Sequence, residues 1–271
     1  MIRFDDTSAM RTRERLCART DDRARPGSEV IDRGDYRVIR TPARHDFYFG
    51  NCLSLDAPPR AADLDGWFAR CRSELADLTG VVQLVLQWET DLDHVDDAAL
   101  EAPNVVLARP AGEEVAVIAP PGVELRSIAG DDDAGWAAVV ALAMAAAADD
   151  GPGHVDFAVW SAGAKRDALR RAPGTGGWWG AFNAETGELC GSLGLFEADD
   201  LLLIQDVETA VAYRRRGIAS ALCAAALRAA AAAHPRALAV IVAAQGSQAE
   251  RIYRRLGFAP VSLHWSVMRA L

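Results

Sequence analysis

Arg214, Arg215 and Arg216 stand at the start of an Ala-rich segment that predicts a helix, because Ala has the highest helix propensity. Cations at a helix N-terminus are unfavourable by about 0.3–1 kcal/mol each. Gly217 and Ala219 follow with little or no side chain, so a bulky anion can approach the free N–H groups at the helix start. Arginine adds bidentate contacts to such an anion. The stretch predicts a phosphate or pyrophosphate site, and the alternative is a solvated basic cluster.

Two short motifs stand out in the C-terminal half. The segment RRRGIA (residues 214–219) lies between a predicted strand and a predicted helix and resembles the R/Q-x-x-G-x-G/A signature of the GNAT acetyltransferase superfamily. The surrounding VETAVAYRRRGIAS is similar to the bacterial form of that signature, with Val211 where Pro is usual. YRRLGF (residues 253–258) resembles the family's Y-x-x-x-G-F element. The likeness covers roughly residues 123 to 271.

The resemblance implies acetyl-CoA, or another acyl-CoA, as the donor of an acyl group. The pantetheine arm of the donor is expected to pair with main-chain groups of Val207 and Thr209. Gly246 stands where the family often has Asn, so Ser247 is the candidate for that contact. The pyrophosphate is expected on the loop formed by Arg214, Arg215, Arg216, Gly217, Ile218, Ala219 and Ser220.

Direct acyl transfer needs a neutral amine and a proton for the departing thiolate. Tyr253 resembles the family tyrosine that supplies this proton, and the alternative is a tyrosine that packs its ring in the core. The base is less evident, because the strands LLLI and ALAVIVAA contain no carboxylate. Deprotonating a lysine amine in the cytosol costs about 4 kcal/mol, and an α-amine less than about 1 kcal/mol. The sequence therefore favours a low-pKa amine, or proton removal through a water chain.

The carboxylates nearest to the arginine loop are Asp206 and Glu208. They alternate along a predicted strand, so they are expected to share one face and to be candidate bases. The alternative assigns them to a solvated strand end, or to ion pairs with the arginines. His264 and His154 are further candidate bases, although a lone histidine is more often structural.

The composition predicts a globular, cytoplasmic protein that binds neither nucleic acid nor membrane. The 271 residues are 51% hydrophobic and 25% charged, and the net charge is −9. Five scattered cysteines without a CxxC motif predict reduced thiols and no metal site. The charged N-terminus does not resemble a signal peptide, and no uncharged apolar run reaches membrane-spanning length. The sequence leaves the oligomeric state open.

The segment Pro120-Pro121-Gly122 is the strongest linker signal in the chain. After it the order of predicted elements is strand, two helices, three strands, helix, strand, helix, strand. This order predicts an α+β fold, a mixed α/β layer rather than a doubly wound sheet. The resemblance implies the GNAT acyl-CoA N-acyltransferase fold, with a central, mostly antiparallel sheet flanked by helices. The predicted domains are a charged segment (1–35), a degenerate GNAT-like domain (36–119) and a catalytic domain (120–271).

Residues 36–119 have the element order of a worn copy of the same fold. The predicted strands include residues 104–108 and 113–119. FYFGN (residues 47–51) resembles a segment of bacterial two-domain GNAT proteins. This half is expected to pack against the second domain and wall the acceptor cleft, and the alternative is an unrelated small α+β domain. Residues 1–35 are expected to include one exposed helix ending near residues 26–27.

The first half is not expected to bind CoA. It has no R-x-x-G-x-G/A motif, and Pro58 and Pro59 remove backbone donors before its helix. Asp63 and Asp65 would repel a phosphate. The leading hypothesis for the whole chain is an N-acyltransferase with one acetyl-CoA site that acts on an amine of a small molecule or peptide. The alternatives are a non-catalytic acyl-CoA sensor and a nucleic-acid-binding basic helix, which the net charge opposes.

Overall fold

The computed structural model describes Leu16 and residues 27–94, 96, 98, 102–148, 152–172, 174, 176–198 and 200–271. The helix predicted within residues 1–26 therefore lies outside the described residues, apart from Leu16. The chain divides into two compact units. The first contains the chain up to Val106, Ala243–Gln245 and Pro260–Leu271, and the second contains Leu107–Val242 and Gly246–Ala259.

The first unit is built on a mixed sheet with one crossover helix. Its elements are β1 (Glu29–Asp32), β2 (Tyr36–Arg40), β3 (Cys52–Leu55), α1 (Leu64–Glu74), β4 (Gln83–Thr90), the start of β5 (Asn104–Pro110) and most of β11 (Ala259–Ala270). Strands β1, β2 and β3 pair antiparallel, β3 pairs parallel with β4, and β4 pairs antiparallel with β11. Helix α1 makes the connection that a parallel β3–β4 pair requires.

The second unit follows the predicted order of elements. Its elements are the end of β5, β6 (Val123–Ile128), α2 (Asp133–Ala147), α3 (Pro152–Arg171), β7 (Gly176–Asn183), β8 (Leu189–Ala198), β9 (Leu201–Thr209), α4 (Ile218–Ala233), most of β10 (Leu238–Ala244) and α5 (Gln248–Arg255). Strands β6 to β9 pair antiparallel, and β9 pairs parallel with β10. The predicted mixed fold with a mostly antiparallel sheet is confirmed.

Helix α2 shows how the sequence sets the core of this unit. Asp132 caps the helix, and its carboxylate accepts a hydrogen bond from Gly135 N at 2.9 Å. Trp136 and Val139 lie three residues apart on one face of the helix and are buried. Trp136 packs on Trp178 of β7 with ring centroids 5.0 Å apart. The helix thereby covers the β7–β8 hairpin, whose predicted turn lies after Asn183.

The compact units do not follow the predicted domain boundaries. The register of β11 on β4 runs from Leu263–Thr90 to Ala270–Gln83, so the last strand of the chain completes the first unit. The pairing satisfies an edge of β4 that would otherwise expose its backbone donors and acceptors. Strand β1 lies within the segment predicted to be a charged N-terminal extension. The assignment of separate functions to the two halves stays a prediction.

The strand predicted at residues 113–119 does not form, and the first two residues of this segment bond to a buried arginine. Arg109 on β5 is 3% exposed. Its guanidinium donates to the Glu113 carbonyl at 2.8 Å and to the carbonyl of Leu256. An isolated buried charge is costly, so main-chain carbonyls gather around it. The carbonyls of Glu113 and Glu114 at the start of this segment thus bond to a side chain and not to a neighbouring strand.

Candidate active site

The loop before α4 presents unsatisfied backbone donors. Gly217 is the N-cap residue and has φ +85° and ψ 4°, which is a left-handed conformation. No side chain caps the helix, and its first backbone hydrogen bond runs from Ala221 N to Gly217 O. The N–H groups of Gly217, Ile218, Ala219 and Ser220 therefore have no partner within the helix. A Cβ built on Gly217 meets no atom within 4 Å, so the space before the loop is open.

The three arginines of this loop are exposed. Arg214 Nε donates to the Thr209 carbonyl at 3.2 Å, and Arg216 donates to the Ala212 carbonyl at 3.0 Å. Arg215 adopts a left-handed backbone conformation with φ +64°, which is uncommon outside glycine. Within the described part of the chain, none of the three forms an ion pair with a carboxylate. The positive charge is therefore available to an anion.

Strand β9 has a free edge next to this loop. Its parallel pairing with β10 runs from Leu201–Leu238 to Leu203–Val240 and goes no further, although β9 continues to Thr209. On the other side the pairing with β8 continues to Thr209 and Gly191. Main-chain groups of Val207 and Thr209 on the β10 side are thus open to a strand-like ligand. The Thr209 carbonyl is already an acceptor for Arg214.

The Y-x-x-x-G-F motif forms the C-terminus of α5. Phe258 N donates to Tyr253 O at 3.1 Å, and Gly257 N donates to Arg254 O at 3.1 Å. These two bonds, with Gly257 at φ +89°, form a Schellman motif. The rings of Tyr253 and Phe258 meet edge to face with centroids 6.3 Å apart, which is the hydrophobic contact typical of this motif. The motif spacing therefore fixes the orientation of Tyr253.

Tyr253 is buried, and burial raises the pKa of its hydroxyl above the ordinary value of 10. Tyr253 thus stays protonated over the physiological pH range. Arg109 contacts the turn that follows Tyr253. It donates to the Leu256 carbonyl, and its guanidinium lies 6.0 Å from the Phe258 ring centroid.

Among the carboxylates near this loop, Glu208 has the most strongly shifted pKa. It is half-buried, and its pKa is raised from 4.5 to about 7, with burial as the largest cause. The negative charge of Asp206 contributes to this rise, and the positive charge of Lys165 opposes it. A carboxyl group with a pKa near neutral pH is suited to general base catalysis.

Asp206 lies at a bulge in β9. Between Glu208–Ser192 and Gln205–Gly194 the register shifts by one residue, and Asp206 has φ +50°. The simple alternation from which Asp206 and Glu208 were expected to share a face does not hold across this bulge. Asp206 is exposed and forms an ion pair with Lys165 of α3. The two carboxylates are nevertheless close enough for the charge of one to act on the other.

Comparison with known proteins identifies the C-terminal half. Residues 142–258 match the model of the acetyltransferase (GNAT) family. This part of the chain is a GNAT-family domain. The predicted membership of the GNAT superfamily is confirmed. The GNAT family uses acyl-CoA as the donor in acyl transfer. A search of curated protein sequences finds no match to this chain.

Solved structures of low sequence identity share the fold over most of the chain. A functionally unknown conserved protein from Staphylococcus epidermidis is 12% identical with a TM-score of 0.69, and the match covers 90% of this chain and 95% of that chain. A GCN5-related N-acetyltransferase from Kribbella flavida is 18% identical with a TM-score of 0.59, over 89% and 88%. A tandem GNAT protein from the clavulanic acid biosynthesis pathway is 15% identical with a TM-score of 0.60, over 96% and 91%.

Ser247 of the GNAT domain has a structural partner. It is the N-cap residue of α5, and its hydroxyl accepts from Glu250 N at 3.1 Å. Gly246 has φ +76°, and its N–H donates to the Glu250 carboxylate at 2.6 Å. Capping occupies the Ser247 oxygen as an acceptor, but leaves its hydroxyl proton available to a ligand.

The sequence did not reveal the network that anchors the loop to the β7–β8 hairpin. Tyr213 stands directly before the arginines, and its hydroxyl donates to the Glu188 carboxylate at 2.8 Å. The same hydroxyl accepts from Asn183 Nδ2 at 3.2 Å. Arg216 lies over the Tyr213 ring at 5.1 Å from the centroid. The feature of the sequence that could have indicated this anchor is Tyr213, the aromatic residue directly before the three arginines.

The two candidate histidines differ in position. His154 is exposed in the first turn of α3. His264 lies on β11 in the first compact unit, opposite Glu89 in the register. The charged groups that act on Glu208 in the described structure are Asp206 and Lys165, so neither histidine belongs to this electrostatic group.

No helix within the described ranges is both long and apolar enough to cross a lipid bilayer. No group of three or more potential metal-ligand side chains was found in the same residues.

Proposed function

We propose that this chain is an acyl-CoA-dependent N-acyltransferase that moves an acetyl or other short acyl group directly to an amine. The observation that carries the proposal is the loop before α4, where four N–H groups without helical partners lie beside three exposed arginines. Such a loop suits a pyrophosphate. It stands within a GNAT-family domain, which makes acyl-CoA the proposed source of that pyrophosphate.

The residues of the second unit have separate roles in binding the donor. Amides from Arg215 to Ser220 receive the pyrophosphate, and the arginine side chains add charge-assisted contacts. The free edge of β9 receives the pantetheine arm through main-chain groups of Val207 and Thr209. The left-handed conformation of Gly217 supports the loop, because a non-glycine residue there is strained.

Glu208 and Tyr253 carry the proton transfers in this proposal. The donor supplies an acyl group activated as a thioester. Glu208 accepts a proton from the ammonium form of the acceptor, directly or through water, and leaves a neutral amine. Asp206 is the second candidate for this step, but its ion pair with Lys165 already uses its charge. Tyr253 donates a proton to the departing sulfur as a C–N bond replaces the C–S bond. The nitrogen of the new amide releases one proton, which restores the Tyr253 hydroxyl directly or through water.

The pKa of Glu208 favours an acceptor amine of low basicity. Proton transfer to a carboxylate with a pKa of about 7 costs about 1 kcal/mol from an α-amine and about 4–5 kcal/mol from a lysine-like amine. We therefore propose a small-molecule or peptide amine with a pKa near that of an α-amine.

The test is release of free CoA thiol from acetyl-CoA in the presence of a panel of α-amines and alkyl amines. The matched variants are Gly217→Asp and Gly217→Asn, which have similar size. Asn tolerates the left-handed backbone, so the comparison isolates the added negative charge. We expect acetyl-CoA binding by calorimetry to be lost in Gly217→Asp and largely kept in Gly217→Asn, with both variants folded by circular dichroism.

Each outcome of this test has a meaning for the proposal. Turnover with at least one amine, abolished by Gly217→Asp, supports the transferase. Tight acetyl-CoA binding without turnover on any amine overturns it in favour of an acyl-CoA sensor. Unchanged acetyl-CoA affinity in Gly217→Asp overturns the placement of the pyrophosphate.

A further inference from the structure

Lys165 is the single lysine among the 29 Lys and Arg residues of the sequence. It lies on α3, where Ala162 and Lys165 are the buried side chains among residues 154–171. These two residues are one helical turn apart, so Lys165 occupies the stripe that faces the interior of the unit. An apolar residue would satisfy packing at such a position, and a buried ammonium is costly unless it is paired.

The partner of Lys165 is Asp206, to which its Nζ donates a hydrogen bond. The Lys165 side chain is 8% exposed and that of Asp206 is 37% exposed, so this ion pair is partly shielded from solvent. Asp206 stands at the bulge of β9, and a bulge re-aims a side chain out of the regular alternation. The bulge in β9 and the buried position of Lys165 thus both contribute to the Lys165–Asp206 ion pair.

Glu208 follows Asp206 on the same strand, two residues away. Opposite Glu208 on β8 lies Ser192, which is uncharged. On α2, β8 and α4, which pack against β9, the titratable residues are Asp133, Cys190, Glu197, Cys223 and Arg228. Helix α3 reaches β9 through Lys165. Among the described groups, Asp206 and Lys165 are the two whose charges act on Glu208.

We propose that the Lys165–Asp206 ion pair is a positioning element that holds the bulge of β9 and sets the charge beside the Glu208 carboxyl group, so that Glu208 can accept a proton. The inference rests on the proposed function, in which Glu208 is the base. Lys165 balances the charge of Asp206, which would otherwise oppose ionisation of Glu208. Asp206 in turn balances Lys165, whose unopposed charge would make Glu208 too weak a base. The opposite effects of the two charges on the pKa of Glu208 agree with these roles.

A spectroscopic test follows from the single lysine, and it does not depend on activity. Protein labelled with ¹³C-lysine gives one side-chain Cε signal, which belongs to Lys165. We expect this signal to titrate with a midpoint near pH 7 as Glu208 ionises, and to lose that transition in Glu208→Gln. A signal that is constant from pH 5.5 to 8.5, or an unchanged transition in Glu208→Gln, overturns the inference.

The kinetic test uses opposite charge deletions. Lys165→Met should move the acidic limb of the kcat/KM profile to higher pH, and Asp206→Asn should move it to lower pH, each by about 0.5–1 pH unit. Lys165→Arg keeps the charge and should restore most of the wild-type profile. Arg166→Met is the matched control, because Arg166 is the next residue on α3 and pairs with Asp133 instead. Shifts in the same direction for both deletions, or a shift in the control, overturn the inference.

The two tests separate this inference from the proposed function. An enzyme that turns over amines while its Lys165 signal does not titrate keeps the proposed function and removes the role of the ion pair. A titrating Lys165 signal without turnover on any amine keeps the charge coupling and removes the proposed function.

Discussion

The raised pKa of Glu208 makes the stability of the protein depend on pH, and Glu208→Gln should remove that dependence. The folded state holds the Glu208 proton up to about pH 7, whereas the unfolded chain releases it near pH 4.5. Between these values the folded state binds more protons, so the free energy of unfolding falls as pH rises. Gln has a similar shape and no charge, so the variant should be more stable than wild type above pH 7.

The size of this effect follows from the interval between the two pKa values. At about 1.4 kcal/mol per pKa unit, the interval from 4.5 to about 7 corresponds to an upper limit of about 3 kcal/mol. Glu208 is only half-buried, and solvent screening reduces the expected effect to about 1–2 kcal/mol. A change of 1 kcal/mol moves Tm by about 2–4 °C in chains of about 150–250 residues. We therefore expect a gain of about 2–8 °C above pH 7.

The assay is thermal unfolding followed by circular dichroism between pH 5.5 and 8.5. The Tm difference between Glu208→Gln and wild type should grow as pH rises from 5.5 to about 7 and then level off. Glu185→Gln removes the same charge from an exposed turn residue and serves as the control. A Tm difference that does not grow with pH, or one that grows equally in Glu185→Gln, would refute the assignment of a desolvated Glu208.

Two further predictions concern the donor and the acid. Calorimetry should find one acetyl-CoA site per chain, because the loop motif occurs once, and two equivalent sites would contradict the expectation that the first half binds no CoA. Tyr253→Phe keeps the ring contact with Phe258 and removes the hydroxyl, so unfolding and acetyl-CoA affinity should stay near wild type. Its kcat should fall about 10²- to 10⁴-fold, the usual range for general acid catalysis, and an unchanged kcat would leave Tyr253 with a packing role alone.

Local patterns were enough to predict the loop and the end of α5. Gly217 and Gly257 both have positive φ values, which glycine adopts without strain. A glycine in the sequence therefore indicates such a local backbone conformation directly. Helix starts are local in the same way, as Asp132 shows by capping α2. For these reasons the order of elements after residue 122 was predicted correctly.

Pairing between distant segments was not visible in the sequence. Strand β11 pairs with the edge of β4 in the first unit. From the sequence, this last strand was expected to belong to the C-terminal domain. An apolar, β-branched segment predicts a strand but does not name its partner, because any exposed edge offers the same backbone groups. The segment at residues 113–119 was predicted to be a strand and is not one. The buried Arg109 donates hydrogen bonds to the carbonyls of Glu113 and Glu114, and this contact was not visible in the sequence.

By itself, the sequence predicted the GNAT-family domain, the mixed fold and the residues of the candidate loop before α4, because each depends on short-range spacing and backbone conformation. Only the tertiary structure decided which carboxylate is the candidate base. Asp206 and Glu208 look alike in the sequence, and they become different through the bulge in β9, the burial of Glu208 and the approach of Lys165 from 41 residues away. Burial and the distance between charges set a pKa, and both are properties of the folded chain.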